Sequence, residues 1–201
     1  MNDPGSESVH QRSKLRFVPL ILFVFLAALF LSRLFYGDAS RIPSALIGKP
    51  VPNFNLAALP GLEDIPGLKT DDLRLGHVSI VNIFASWCAP CRQEHPILMA
   101  LSRDPELKAN EIEIYGLSYK DEPANAKSFL QEDGNPFQKI GFDPAGRIAI
   151  DFGVYGVPET FIVTGEGKIS YKFIGPLTSS AMETILLPEI RKALKSEIKG
   201  P

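Results

Sequence analysis

A chain of 201 residues with 45% hydrophobic and 22% charged residues has room for one compact domain plus an appendage, with the balance of an ordinary globular protein. A net charge of -2, with no basic stripe and no acidic tail, excludes the electrostatic footprint of a nucleic-acid-binding protein and favours a small or neutral partner surface.

The first predicted element is a membrane anchor. Phe17 to Leu31 is almost uninterrupted apolar sequence and extends past Ser32 and Arg33 to Tyr36, matching the roughly 17 to 25 residues of a span. His10, Arg12, Lys14 and Arg16 crowd its N-terminal side, so the positive-inside bias assigns 1–16 to the cytoplasm, 17–36 to the span and the rest of the chain to the outside. A cleaved signal peptide is the competing reading, with Gly37-x-Ala39 as a weak cleavage site. Either way the domain is delivered to an exocytoplasmic, oxidising space, which in a Gram-negative bacterium is the periplasm.

Gly37 to Pro52 is rich in small residues and prolines, and a linker over 37–45 leads into a domain over 46–201. From Phe54 to Leu75 short apolar stretches cut by Pro60-Gly61 and Pro66-Gly67 predict an edge strand or hairpin. Val78 to Ala85 has the near-continuous apolar, β-branched character of a central strand buried on both faces. Directly after it stands Trp87-Cys88-Ala89-Pro90-Cys91, holding the only two cysteines of the chain. Arg92 to Arg103 follows as a helix with Pro96 expected to kink it, then Ile112 to Leu117 as a strand. Ala124 to Glu132 is helical, introduced by Asp121 and Pro123 and ended by Asp133-Gly134. Ile148 to Phe152 and Thr160 to Val163 come next, with Ile169 to Ile174 as a hairpin partner across a Gly165-x-Gly167 turn. Ser179 to Ile198 is the last, amphipathic helix, with Pro188 as its flaw. Strands and helices that alternate and then finish in a hairpin predict an α/β fold with a mixed central sheet flanked by helices.

A strand that ends in Trp-Cys-x-Pro-Cys and runs into a helix is the sequence form of a thioredoxin-like dithiol/disulfide site. Cys88 is the expected nucleophile, because the helix N-terminus stabilises its thiolate and it is expected to be the more exposed of the pair. Cys91, one turn further in, is the expected resolving thiol. Pro90 fixes the backbone between them, and Trp87 is expected to pack beside the site and limit access. The bland readings are a structural crosslink or half of a zinc site. A crosslink over so short a loop restrains the unfolded chain little, and zinc needs about four ligands where no second Cys pair exists.

A second element is Gly153-Val154-Tyr155-Gly156-Val157-Pro158-Glu159-Thr160-Phe161. Base rates make Pro158 a trans proline ending a loop, but the Cys motif upstream favours a cis-proline facing the sulfurs, with the backbone of Val157 open to an extended peptide. Glu94 and Glu159 are the acids expected near the thiols, where a carboxylate raises a thiol pKa, against the plainer reading of two solvated glutamates. Asn82 stands where ordinary thioredoxins carry a buried aspartate, which leaves Glu94 to replace it as internal proton acceptor. Cys88, Cys91 and His95 form a candidate Cu(I) trio, but no histidine follows His95, and a helix-surface or substrate-facing histidine is the better reading.

Together Val81 to Pro96, Gly153 to Phe161 and the opening Ile47-Gly48-Lys49-Pro50-Val51-Pro52-x-Phe54 resemble the CcmG/DsbE family, membrane-anchored thioredoxin-like proteins of cytochrome c biogenesis. The resemblance implies a periplasmic thiol:disulfide oxidoreductase with no cofactor or metal beyond the Cys88-Cys91 pair. It implies as client the heme-binding cysteines of apocytochrome c, directly or through a cytochrome-maturation thiol protein, and as electron donor a transmembrane thiol reductase. The family's nucleophile falls on Cys88, its resolving thiol on Cys91, its cis-proline on Pro158 and its acids on Glu94 and Glu159. A reductant for another exported client, such as a copper-site assembly protein, and a copper-binding module are the alternatives.

Overall fold

The computed structural model describes residues 17–36 and 45–198; the tail 1–16 and nearly all of the linker lie outside the described residues. The chain divides into two compact units, Met1–Ala39 and Ser40–Pro201. In the first, α1 (Val18–Tyr36) exposes Ile21, Phe23, Phe25 and Phe30 around its circumference. Among the described residues no helix is long and apolar enough to cross a membrane. The side chains of α1 that are described end at Ser32, so the span predicted over 17–36 stands on its sequence.

The second unit is built on a five-stranded mixed sheet of order β5-β4-β3-β6-β7. Its strands are β3 (Ser79–Phe84), β4 (Glu113–Tyr119), β5 (Lys139–Asp143), β6 (Glu159–Val163) and β7 (Ile169–Ile174), and a two-stranded hairpin of β1 (Asn55–Leu56) and β2 (Leu68–Lys69) precedes them. β3 runs parallel to β4 and antiparallel to β6, and β4–β5 and β6–β7 continue the two patterns outward. Every residue of β3 is buried, because it is the centre of the sheet and both faces are covered. This accounts for its unbroken apolar run.

Alternation along β3 and β6 assigns each side chain to one of two cores. Ile80, Phe84 and Ile162 pack with Leu98 and Leu101 of α2 (Ala89–Leu101), Leu107 of α3 (Pro105–Ala109) and Phe129 of α4 (Pro123–Asp133). Val81, Ile83, Phe161 and Val163 pack on the other face with Leu68, Ala149 of α5 (Arg147–Asp151) and Phe152. Gly116 of β4 permits the first core to close: a Cβ there would lie 2.9 Å from both Phe84 and Phe137, whose rings stack at 5.0 Å.

The elements depart from expectation in four places. The active-site helix starts at Ala89 rather than Arg92, since Pro90 in the first turn needs no N–H partner, and it continues through Pro96. β5 was not anticipated from its sequence. Most of Ile148 to Phe152 is helical, because the Asp143 carboxylate accepts the N–H groups of Arg147 and Ala149 at 3.0 Å each. The last helix is not continuous. A turn at Ser179–Ala181 widens into a π-helical segment, Met182–Leu186, where the Leu187 N–H bonds back to the Met182 carbonyl, before α6 (Leu187–Ile198) begins. The widening lies immediately ahead of Pro188, which has no N–H and whose ring would press on the carbonyl four residues back.

Candidate active site

The site lies where β3 hands the chain to α2. Cys88 is the N-cap of α2, with extended backbone (φ -87°, ψ 106°), and its Sγ accepts the Cys91 N–H at 3.1 Å. Ala89 and Pro90 complete the first turn, and the two cysteines are joined by a disulfide with Cα atoms 5.2 Å apart. In the reduced pair the same N–H, with the helix dipole behind it, stabilises a thiolate on Cys88. Both cysteines are buried, Cys88 at 3% and Cys91 at 2% exposure, so exposure does not separate them, contrary to the sequence-based expectation. Position on the helix does.

The turn before Cys88 is pinned from the loop after β4. The buried Asp121 carboxylate accepts the Ser86 N–H (Oδ2, 2.5 Å) and hydroxyl (Oδ1, 2.6 Å), and also the Glu122 N–H (2.9 Å). The Arg92 Nε–H donates to the Ser86 carbonyl at 3.2 Å. Trp87 is 59% exposed beside the pair, held by its indole N–H on the Lys120 carbonyl at 2.9 Å. From the other side comes the segment leading into β6, where the Val157–Pro158 bond is cis and the Val157 carbonyl oxygen lies 3.5 Å from Cys88 Sγ. In the disulfide that sulfur carries no proton, so the contact becomes an S–H···O hydrogen bond only in the reduced thiol.

The two acids occupy opposite faces of the sheet. Glu94, three residues beyond Cys91 on α2, is fully buried in the core that holds the sulfurs. Its Oε1 accepts from Asn82 Nδ2 at 2.8 Å and its Oε2 from the Leu177 N–H at 2.8 Å. Burial pushes its carboxyl up to about 7, and the two donated hydrogen bonds oppose that rise. Glu159 points to the other core. Its Oε1 accepts the Tyr155 N–H at 2.9 Å, and Lys172 Nζ stands 3.0 Å from Oε2, both side chains 1% exposed. The approach to Oε2 is off hydrogen-bond geometry, so the contact is a charge pair rather than a directed bond. Lys172 also donates to the Gly153 carbonyl at 2.7 Å and lies 4.1 Å beneath the exposed Tyr155 ring. Neither glutamate is a solvated surface residue. Glu94 belongs with the sulfurs, whereas Glu159 and Lys172 brace the loop that carries Val157.

His95 is also buried, with Nε2 2.8 Å from the Gly134 carbonyl and its ring 4.6 Å from Phe129, and burial lowers its pKa. It is a core histidine, not the surface or substrate-facing residue expected from sequence. Asp121 and Lys172 escaped sequence reasoning because each acts through a partner distant in the chain. The only local signal was Asp121 ahead of Pro123, read as a helix introduction.

The Redoxin family profile matches residues 46–186. A thiol:disulfide interchange protein DsbE homolog of Paracoccus denitrificans is 40% identical over 186 residues, 92% of this chain and 98% of that protein. The thiol:disulfide interchange protein CycY of Rhizobium leguminosarum is 42% identical over 187 residues, 91% and 96% of the two chains. A solved structure from Chlorobium tepidum, described as a thiol:disulfide interchange protein DsbE, superposes with a TM-score of 0.58 at 27% identity, covering 73% of this chain and 99% of that one. The likeness covers both flanks of the disulfide, the Cys88 turn and the loop of Val157, and the chain belongs to the DsbE branch of the redoxins, the thiol:disulfide interchange proteins.

Proposed function

We propose that the protein is a membrane-anchored periplasmic reductant of cytochrome c maturation. The observation that carries its chemistry is Cys88 Sγ at the N-cap of α2, 3.1 Å from the Cys91 N–H and 3.5 Å from the Val157 carbonyl. The Cys88 thiolate attacks a client disulfide. One client sulfur leaves as a thiolate and takes up a proton, and a mixed disulfide to Cys88 remains. Cys91 loses its proton to Glu94, attacks Cys88 Sγ and expels the second client thiolate. Two electrons have then passed to the client and the Cys88-Cys91 disulfide is restored. Pro90 shapes the turn between the sulfurs, and Trp87 and Val157 border the attacking sulfur and receive the client backbone. Pro158 and Glu159 fix the Val157 loop.

The client reading rests on the likeness of the Trp87-Cys88-Ala89-Pro90-Cys91 and Gly153–Phe161 motifs to the CcmG/DsbE family, whose clients are heme-binding cysteine pairs of apocytochrome c or a thiol protein that serves them. A transmembrane thiol reductase returns the electrons, and no cofactor beyond the dithiol is required. The exposed apolar side chains of α1 and the four basic positions before it support an inner-membrane anchor with the N-terminus cytoplasmic.

Reduction potential and client capture test this together. A potential near or below about -200 mV fits a reductant, whereas one close to the roughly -120 mV of a strong periplasmic oxidant overturns it. Cys91→Ser is expected to trap mixed disulfides on Cys88. Trapped clients with neither a heme-attachment segment nor a protein that serves one would overturn the cytochrome assignment.

A further inference from the structure

Asn82 is fully buried on β3, on the face that holds the sulfurs. Its Nδ2 donates twice, to Glu94 Oε1 at 2.8 Å and to Thr160 Oγ1 at 3.1 Å, while its Oδ1 has no partner among the described residues. A buried amide that leaves its carbonyl unpaired calls for a physical reason.

The reason lies in the two oxygens of Glu94. Oε2 accepts the Leu177 N–H, and a backbone N–H can only donate, so a proton arriving at the carboxylate must settle on Oε1. That oxygen faces the Asn82 NH2 group, which cannot accept it. We propose that Asn82 is a positioning residue that switches with Glu94: its side-chain amide turns over when the carboxylate is protonated, changing from double donor to double acceptor. In the ionised state the NH2 group donates to Oε1 and to the Thr160 hydroxyl oxygen. In the protonated state Oδ1 occupies the same place and accepts the Glu94 O–H and the Thr160 O–H, whose proton rotates toward it. One proton is gained, on Glu94 Oε1, and in the reaction it comes from the Cys91 thiol. No other covalent bond changes. The amide oxygen and nitrogen are nearly the same size, so the turn needs no repacking. In the turned state the NH2 group takes the place that Oδ1 holds in the ionised state, a spot with no partner among the described residues.

The buried Ser118 hydroxyl of β4, on the same face, also has no partner among the described residues, while the charged groups are engaged elsewhere. Glu159 and Lys172 pair on the opposite face of the sheet. On α2 itself, Arg92 turns to Ser86 and Asp133, and His95 to Gly134. The core on this face takes apolar residues from α4, the π-helical segment and α6, with Phe129, Leu186 and Ile190 among them. The elevated carboxyl of Glu94 brings the switch into the physiological range.

The inference rests on Glu94 as the internal proton acceptor, and one titration separates the two. The full chain, in detergent micelles with the disulfide intact, is followed by NMR from pH 5 to 9 through the Glu94 carboxyl carbon and the Asn82 side-chain NH2. The NH2 signals are expected to move with the same midpoint as the carboxyl carbon and to lose their close approach to Thr160 on protonation. In Glu94→Gln the Leu177 N–H holds the new amide carbonyl and turns its NH2 toward Asn82. The Asn82 signals are therefore expected to stay in their low-pH position at every pH. A titrating Glu94 beside an Asn82 that keeps one orientation overturns the switch and leaves the proton acceptor standing. A Glu94 that does not titrate in this range overturns both.

Discussion

Replacing Glu94 with glutamine isolates the cost of the buried carboxylate. Each pKa unit is worth about 1.4 kcal/mol, so raising the carboxyl from 4.5 to about 7 makes the ionised form roughly 3 kcal/mol less favourable in the folded chain than in the unfolded one. The folded state binds this proton more tightly. Its stabilising contribution is therefore complete below about pH 4.5 and is lost as the pH rises from there through about 7. Glutamine keeps an oxygen for the Leu177 N–H and has no titration. Urea unfolding of both full-length proteins in the same detergent, disulfide intact and followed by Trp87 fluorescence, gives the stability difference at each pH, with every other titrating group common to both. Between pH 4 and pH 8 the native protein is expected to lose about 3 kcal/mol relative to Glu94→Gln. A difference that stays flat across this range, or that moves in favour of the native protein as the pH rises, refutes the account of Glu94 as an acid destabilised by burial.

Cys88→Ser is expected to abolish reduction of insulin disulfides, and retained turnover would remove Cys88 as the nucleophile. Lys172→Met or Glu159→Gln alone strands a buried partner and is expected to cost about 3–5 kcal/mol, with the double variant recovering much of it; singles within about 1 kcal/mol of the native protein by denaturant unfolding would show that the pair is not the brace described. Asp121→Ala leaves the Ser86 N–H and hydroxyl without their acceptor and is expected to destabilise by about 2–3 kcal/mol. An unchanged unfolding midpoint would mean that water or a neighbouring group replaces the carboxylate.

The parts of the fold legible in sequence are those where one strand or helix carries its own signature. β3 announces itself because burial on both faces requires apolar side chains at every position but a few, and Asn82 is legible as an exception within that run. The Cys88 turn is legible because Pro90 and the cysteines can only work at a helix start. β5 was hidden because its five residues are bracketed by Lys139 and Asp143, whose charges are engaged by Asp72 and by the α5 backbone. α5 was hidden for the related reason that the carboxylate accepting its first-turn N–H groups, Asp143, belongs to the preceding strand. Glu94 was placed near the sulfurs by its spacing on the helix and by the family resemblance. The opposite placement of Glu159 follows from strand alternation in β6, which becomes informative only once Asn82 and Thr160 are known to be paired across the sheet. Lys172 could be recognised only from its place beside Phe161 on the neighbouring strand.

The sheet separates two kinds of charge. On one side the buried Glu94 carboxyl has only neutral hydrogen-bond donors beside it, in the core that holds the sulfurs; on the other, Glu159 and Lys172 hold opposite charges together beneath the loop that carries Val157. A single layer of sheet backbone stands between them, and the Val157 carbonyl meets Cys88 Sγ at 3.5 Å, so a change in the buried pair that moves the loop is carried to the sulfur. A substitution on the Glu159 face is therefore felt at Cys88 through the position of that loop, whereas one at Glu94 acts within the core that holds both sulfurs.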